Sequence, residues 1–126
     1  MTIAKLEHVN ITVPDNVKTA QTLIDIFGWH IRWQGLSSGG NNSIHVGSDS
    51  QYIAVSTPPG GSGCLTKVEK GLPLNHICLE VDDLDDTETK VVAAKFEPFN
   101  HGTYNPGRRF YFIDGDGIEF EVVSYN

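Results

Sequence analysis

Residues 6–15, LEHVNITVPD, and residues 74–83, LNHICLEVDD, are two copies of one pattern. Leu, His, Val and Asp recur at the first, third, eighth and tenth places of each, and the apolar pairs Val9/Ile77 and Ile11/Leu79 correspond. Both copies alternate apolar with polar residues, as a strand with one buried face must. Each runs into a helical pattern. In NVKTAQTLIDIFG, residues 16–28, a stripe of Val17, Ala20, Leu23, Ile24 and Phe27 ends at Gly28, a natural stop. In DLDDTETKVVAAK, residues 83–95, the apolar side is Leu84, Val91, Val92 and Ala94. Short strand candidates follow each helix: WHIRWQ, NSIHV and QYIAVST in the first half, and FEPF, RRFYFI and GIEFEVVSY in the second. An internal repeat of this size requires a repeated supersecondary unit. The expectation is an α+β fold of two βαβββ units that form a curved mixed sheet. The first unit spans 1–57, a Gly- and Pro-rich connection 58–71, and the second unit 72–126, all within a single domain 1–126.

Composition narrows the partners. With 39% hydrophobic and 20% charged residues the chain reads as an ordinary globular protein, and no apolar run approaches the length of a membrane span. The net charge of −7, with Arg108-Arg109 as the densest basic cluster, speaks against nucleic acid and anionic membranes. Cys64 and Cys78 make neither a CxxC pair nor a disulfide framework, and MTIAKLEHVN lacks the layout of a signal peptide, so the expected location is cytoplasmic.

Alternation sorts the remaining side chains. Val9, Ile11 and Val13 face the helices in the first strand, and His8, Asn10 and Thr12 face away. In the repeat, Ile77, Leu79 and Val81 face the helices while His76, Cys78 and Glu80 face away. The last strand adds Glu119, Glu121 and Val123 to that far face. Aligning Asp49 with Asp116 sets Ala54 against Glu121. Two imidazoles and a carboxylate on rigid strands are a donor set for a divalent transition metal with positions left open for substrate. The same residues also fit a polar surface histidine and a hydrogen-bonded core histidine.

Taken together, EHVNITV, NHICLEV and the terminal FYFIDGDGIEFEV resemble the vicinal oxygen chelate superfamily of glyoxalases, bleomycin-resistance proteins and extradiol dioxygenases. The family's Asp-Pro-Asp-Gly-x-x-x-Glu stretch corresponds to residues 114–121, with Gly115 in place of proline. The resemblance implies a metal site of His8, His76 and Glu121 holding Fe(II), Mn(II) or Zn(II). Because Ala54 stands at the fourth glyoxalase position, it implies the three-ligand set of the fosfomycin-resistance and extradiol dioxygenase branches, with dioxygenase-like chemistry on a small oxygen-chelating substrate favoured. Glyoxalase, lyase or isomerase chemistry is a further possibility, and a metal-free sequestering protein of the bleomycin-resistance type is the alternative. The resemblance also implies Tyr111 and His101 as catalytic groups, the latter resembling a second-sphere dioxygenase histidine. Asn10, Arg109 and Glu119 are candidate substrate contacts, with Glu119 at the solvated mouth and Glu121 as ligand. His30 and His45 read as structural or surface residues, Trp29 and Trp33 as core or dimer contacts. A homodimer is expected, since chains of two units in this family often build their sites across a dimer.

Overall fold

The computed structural model describes residues 2–61, 71, 73–104 and 107–126. The chain divides into two compact units, Met1–Thr66 and Lys67–Asn126. Cys64 and most of the connection 58–71 lie outside the described residues.

The first unit runs β1 (His8–Thr12), α1 (Asn16–Phe27), β2 (His30–Leu36), β3 (Asn42–Gly47) and β4 (Tyr52–Thr57). Its sheet has the order β1-β4-β3-β2, with β1 parallel to β4 and the other pairs antiparallel. The second unit repeats this as β5 (Ile77–Glu80), α2 (Leu84–Ala93), β6 (Phe99–Tyr104), β7 (Gly107–Ile113) and β8 (Glu119–Ser124), in the order β5-β8-β7-β6. Each unit is the expected βαβββ motif. In both, the strand carrying the repeated histidine pattern crosses over through the helix and pairs in parallel with the last strand.

The helices form where the sequence caps them. Asp15 accepts from the Lys18 amide and Asp83 from the Asp86 amide, each satisfying one orphan donor of a first turn. Gly28, at φ 70°, ends α1 by donating to the Ile24 carbonyl, a left-handed position that favours glycine. The buried stripe of α1 differs from the expected one. Asn16, Thr19, Ala20, Leu23 and Ile26 are buried and Val17 is exposed. Asn16 explains the rotation, because its side-chain amide donates to the Val55 and Asn42 carbonyls and pins the first turn to β3 and β4. In α2, likewise, Leu84, Thr87 and Val91 are buried and Val92 is exposed.

The FEPF candidate is not a strand. Lys95 adopts φ 73° and the Phe96 amide returns to the Val91 carbonyl, so the segment completes the end of α2. The strand begins only at Phe99, after Pro98, which has no amide to donate. Phe99 then pairs with Tyr111 but Gly102 with Arg109, so one extra residue is accommodated in a bulge where Asn100 has φ 57°.

The cores differ in composition. Ile44, Val46, Ile53 and Val55 pack beneath α1, which contacts β3 and β4. Beneath α2 the equivalent places hold Phe110, Phe112 and Phe120 with Val122, and the Phe112 and Phe120 rings stack at 5.2 Å. No helix among the described residues is long and apolar enough to cross a membrane.

Candidate functional site

The face of each sheet away from its helix carries the candidate residues. In the second unit, Tyr111 lies opposite Glu121 on β7–β8, and Cys78 lies opposite Glu121 on β5–β8. Glu121 is therefore flanked on both sides, on a strand whose every residue is buried, and is itself 5% exposed. Its Oε2 accepts from Arg109 Nη1 at 2.7 Å, and its Oε1 stands 3.0 Å from His76 Nε2. On the other side of its ring, His76 Nδ1 is 2.7 Å from the Asn75 side-chain oxygen. Tyr111 meets the His76 ring edge-on at 5.7 Å, and Phe99 adds a tilted ring at 6.0 Å from Tyr111.

Charge and burial tune this group. Partial burial opposes the charge of Arg109, but the Glu121 carboxylate outweighs it and raises the guanidinium pKa. Burial, together with Glu121, pushes the Cys78 thiol up to about 11, so the free thiol remains protonated and inert near neutral pH.

The first unit presents different chemistry. His8 and Tyr52, paired on β1–β4, stack at 4.7 Å with planes 8° apart, and Tyr52 stacks again on His45 at 4.6 Å. Trp33 closes the row at 4.9 Å from His45, and the Arg32 guanidinium lies 4.6 Å from the Tyr52 ring centre. The row fits because its neighbours are small. Gly47 stands opposite Tyr52, and the Trp33 indole leans over Gly35, where a Cβ would come within 2.9 Å of the ring. Burial lowers the His45 pKa, and His8 and Arg32 lower it further. Burial raises the Tyr52 pKa, with Glu7 adding to it, while Glu7 is lowered chiefly by its hydrogen bond to His8. Glu7 takes the His8 Nδ1, leaving Nε2 as that ring's open nitrogen.

Within one unit, then, the structure gathers His76, Glu121, Arg109 and Tyr111, and within the other it sets His8 and Asn10 on the far face. Asn10 is held by the Ser56 hydroxyl, which donates to its side-chain oxygen at 2.9 Å. Ala54 pairs with Asn10 and His45 in the register where Glu121 pairs with Cys78 and Tyr111, which is the correspondence the repeat gave. Two residues stand elsewhere than expected. Glu119 is 6% exposed, so it does not line a solvated mouth; β8 is central in its sheet and is buried from Glu119 onward. His101 bonds Glu88 of α2 at 2.9 Å and stacks on the core ring Phe110, so it faces the helix and not Tyr111 and Glu121. The bulge at Asn100 sets that parity. Sequence reasoning passed over Glu7, His45, Tyr52 and Asn75. Trp33 is 46% exposed and so is no core residue.

The donor chemistry of the second unit fits a divalent ion. His76 Nε2 and Glu121 Oε1, 3.0 Å apart, are an imidazole nitrogen and a carboxylate oxygen, both donor types that such an ion would take. Among the described residues, neither unit by itself gathers three such donors.

Residues 7–112 match the model of the glyoxalase/bleomycin resistance protein/dioxygenase superfamily. The chain belongs to that superfamily. No curated protein sequence matches it. Among solved structures, a glyoxylase/bleomycin resistance protein/dioxygenase domain from Frankia sp. EAN1pec is 19% identical with a TM-score of 0.84, covering 99% of this chain and 94% of that one. The fosfomycin resistance protein FosX from Listeria monocytogenes, complexed with Mn(II) and sulfate, is 20% identical with a TM-score of 0.73, covering 99% and 95%. FosX from Mesorhizobium loti is 20% identical with a TM-score of 0.71, covering 96% and 91%. At these identities the likeness establishes the fold.

Proposed function

We propose that this superfamily member is a metal-dependent enzyme in which His76 and Glu121, joined by His8, hold a divalent ion and bind a small substrate through two neighbouring oxygens. One observation carries this reading. His76 Nε2 stands 3.0 Å from Glu121 Oε1 while its Nδ1 is engaged by Asn75, so an imidazole nitrogen and a carboxylate oxygen, two donor types suited to a divalent cation, are brought together. The Mn(II) in the Listeria FosX structure supports a metal as that cation. Fe(II), Mn(II) and Zn(II) all suit two imidazoles and a carboxylate.

Such an ion supplies Lewis acidity, polarising a bound oxygen and stabilising negative charge that develops on it. The chain's own residues do the rest. Arg109 holds Glu121 Oε2, which fixes the carboxylate plane and leaves Oε1 as the donor. Tyr111, edge-on to His76, orients the substrate and delivers a proton to its oxygen. Asn10, held by Ser56 on its strand, and the buried Glu119 are further candidate substrate contacts. Three protein donors leave room for both substrate and a co-reactant, so dioxygenase-like chemistry is favoured over a glyoxalase or isomerase reaction. The active species is a homodimer, supported by the exposed Ile31, Trp33 and Leu36 on edge strand β2.

The row Trp33–His45–Tyr52–His8 favours one second reading, a metal-free protein that sequesters a planar ligand against these rings. Elemental analysis of protein purified without added metal separates the two. Stoichiometric transition metal that disappears in His8→Ala and His76→Ala supports the enzyme. Absence of metal, with ligand binding unchanged in both variants, supports sequestration.

A further inference from the structure

The two far-face histidines share a feature that alternation of strand residues does not require. In each copy of the repeat, the residue just before the histidine turns a side-chain oxygen onto Nδ1: Glu7 onto His8, and Asn75 onto His76 at 2.7 Å. Glu7 just precedes β1, and Asn75 and His76 just precede β5, so these contacts belong to the entry into each strand. Two such contacts at equivalent places make this a property of the repeat and not a stray surface bond. In the first unit the device has a second layer. The Tyr52 ring lies 4.7 Å from His8 with the two planes 8° apart. His45 also stacks on Tyr52, at 4.6 Å. His8 is thus fixed in its plane by a stacked ring and about its own axis by the Glu7 carboxylate on Nδ1.

We propose that Glu7 and Tyr52 are positioning residues for His8. They hold Nδ1 protonated and the ring upright, so that Nε2 presents its lone pair in one direction. An unassisted neutral histidine side chain prefers the other tautomer, with the proton on Nε2, and in that form His8 would be a donor with nothing to coordinate. A carboxylate at Nδ1 reverses the preference and fixes the ring orientation before any ligand arrives. Tyr52 has no direct role at the reacting centre. It acts through His8 by its stacked ring.

This inference rests on the reading that His8 Nε2 is a donor, but its test is independent of that reading. The tautomer of His8 is read from long-range proton–nitrogen correlations of ¹⁵N-histidine-labelled, metal-free protein at pH 8. His101 serves as the internal reference, since its Nε2 donates to Glu88 and it must carry the proton there. Wild-type His8 is expected in the Nδ1–H form. Glu7→Ala should convert it to Nε2–H, Glu7→Gln should retain Nδ1–H because the amide oxygen still accepts, and Tyr52→Phe, which keeps the stacked ring, should retain it too. Titration with Mn(II) should then show affinity falling about 10- to 100-fold in Glu7→Ala and staying near wild type in Tyr52→Phe and Glu7→Gln. Glu7 is exposed, so these variants are expected to fold, with circular dichroism as the check. An Nε2–H wild-type His8, or a tautomer indifferent to Glu7→Ala, overturns the inference. The expected tautomers without Mn(II) binding would leave the positioning device standing and remove the enzyme reading instead.

Discussion

The two units share a backbone plan and differ in what they mount on it. Where the second has Glu121 between Cys78 and Tyr111, the first has Ala54 between Asn10 and His45. Where the second has Arg109 opposite Val123, the first has Ser43 opposite Ser56. A buried carboxylate needs partners, and Glu121 has an arginine and a histidine on its two oxygens. With alanine at that place the first unit has no such charge to satisfy, and its far face fills with a row of rings. A single position in the register thus decides whether the surrounding residues must be ionic or can be aromatic.

The cores offer the first way to test how far this parallel extends. Phe110 and Ile44 occupy equivalent buried places, paired with Val122 and Val55 respectively. Phe110→Ala should cost about 4 kcal/mol and Ile44→Ala about 3 kcal/mol in urea unfolding. If the Ile44 variant were the more damaging, the phenylalanine-built core would not be the more demanding of the two. Next comes the carboxylate. Glu121→Gln should weaken Mn(II) binding by on the order of 100-fold in calorimetry, and Glu119→Gln far less, since ligand loss exceeds the usual effect of a supporting residue. Equal losses would mean that the register assigned to β8 carries no functional meaning.

A pH effect of middling size belongs to the second unit alone. Burial raises the Asp114 pKa to about 6 although its carboxylate accepts from the Asp116 and Ile118 amides. The folded pKa lies above the unfolded one, so the native state binds the extra proton. This contribution is full below about pH 4 and is lost as pH rises through about 6, amounting to about 3 kcal/mol. Asp114→Asn keeps an oxygen acceptor and should flatten the dependence, giving a variant at least as stable as wild type at pH 7 in thermal unfolding. A curve as steep as the parent's would assign the dependence to another group. The smallest effect is expected at Gly115, where a Cβ meets nothing within 4 Å. Gly115→Pro, which restores the family's turn residue, should raise stability by about 0.5 kcal/mol through the unfolded state. Loss of stability would show that the turn backbone differs from the family's.

The repeat made the βαβββ units legible because alternation and helical stripes are local signals, and the histidines with Glu121 came with them. What escaped was set by contacts or backbone angles that no periodicity encodes. His45 is the counterpart of Tyr111, but it precedes Ala54 by nine residues where Tyr111 precedes Glu121 by ten, so a fixed offset misses it and only strand pairing reveals it. His101 was misplaced by the bulge at Asn100, a left-handed backbone position that asparagine tolerates without announcing it. Glu119 looked solvated because it follows a turn, yet it begins a central strand, pairs with Ile113 and is buried. Asn16 rotated α1 through hydrogen bonds to strands far along the chain.

The parallel pairing of each histidine strand has a consequence in time. The β7–β8 hairpin closes across a turn from Asp114 to Ile118, while β5 can join β8 only after the chain between them has folded, a much longer loop to close. With four residues on a sheet edge, β5 is the last strand of its unit to zip up and the first to fray. Its backbone amides should exchange with solvent sooner than those of β7 and β8. His76, at the margin of that strand, is therefore delivered to a partner that is already in place: Glu121 waits on a finished hairpin, and the His76–Glu121 contact is completed by the docking of one short edge.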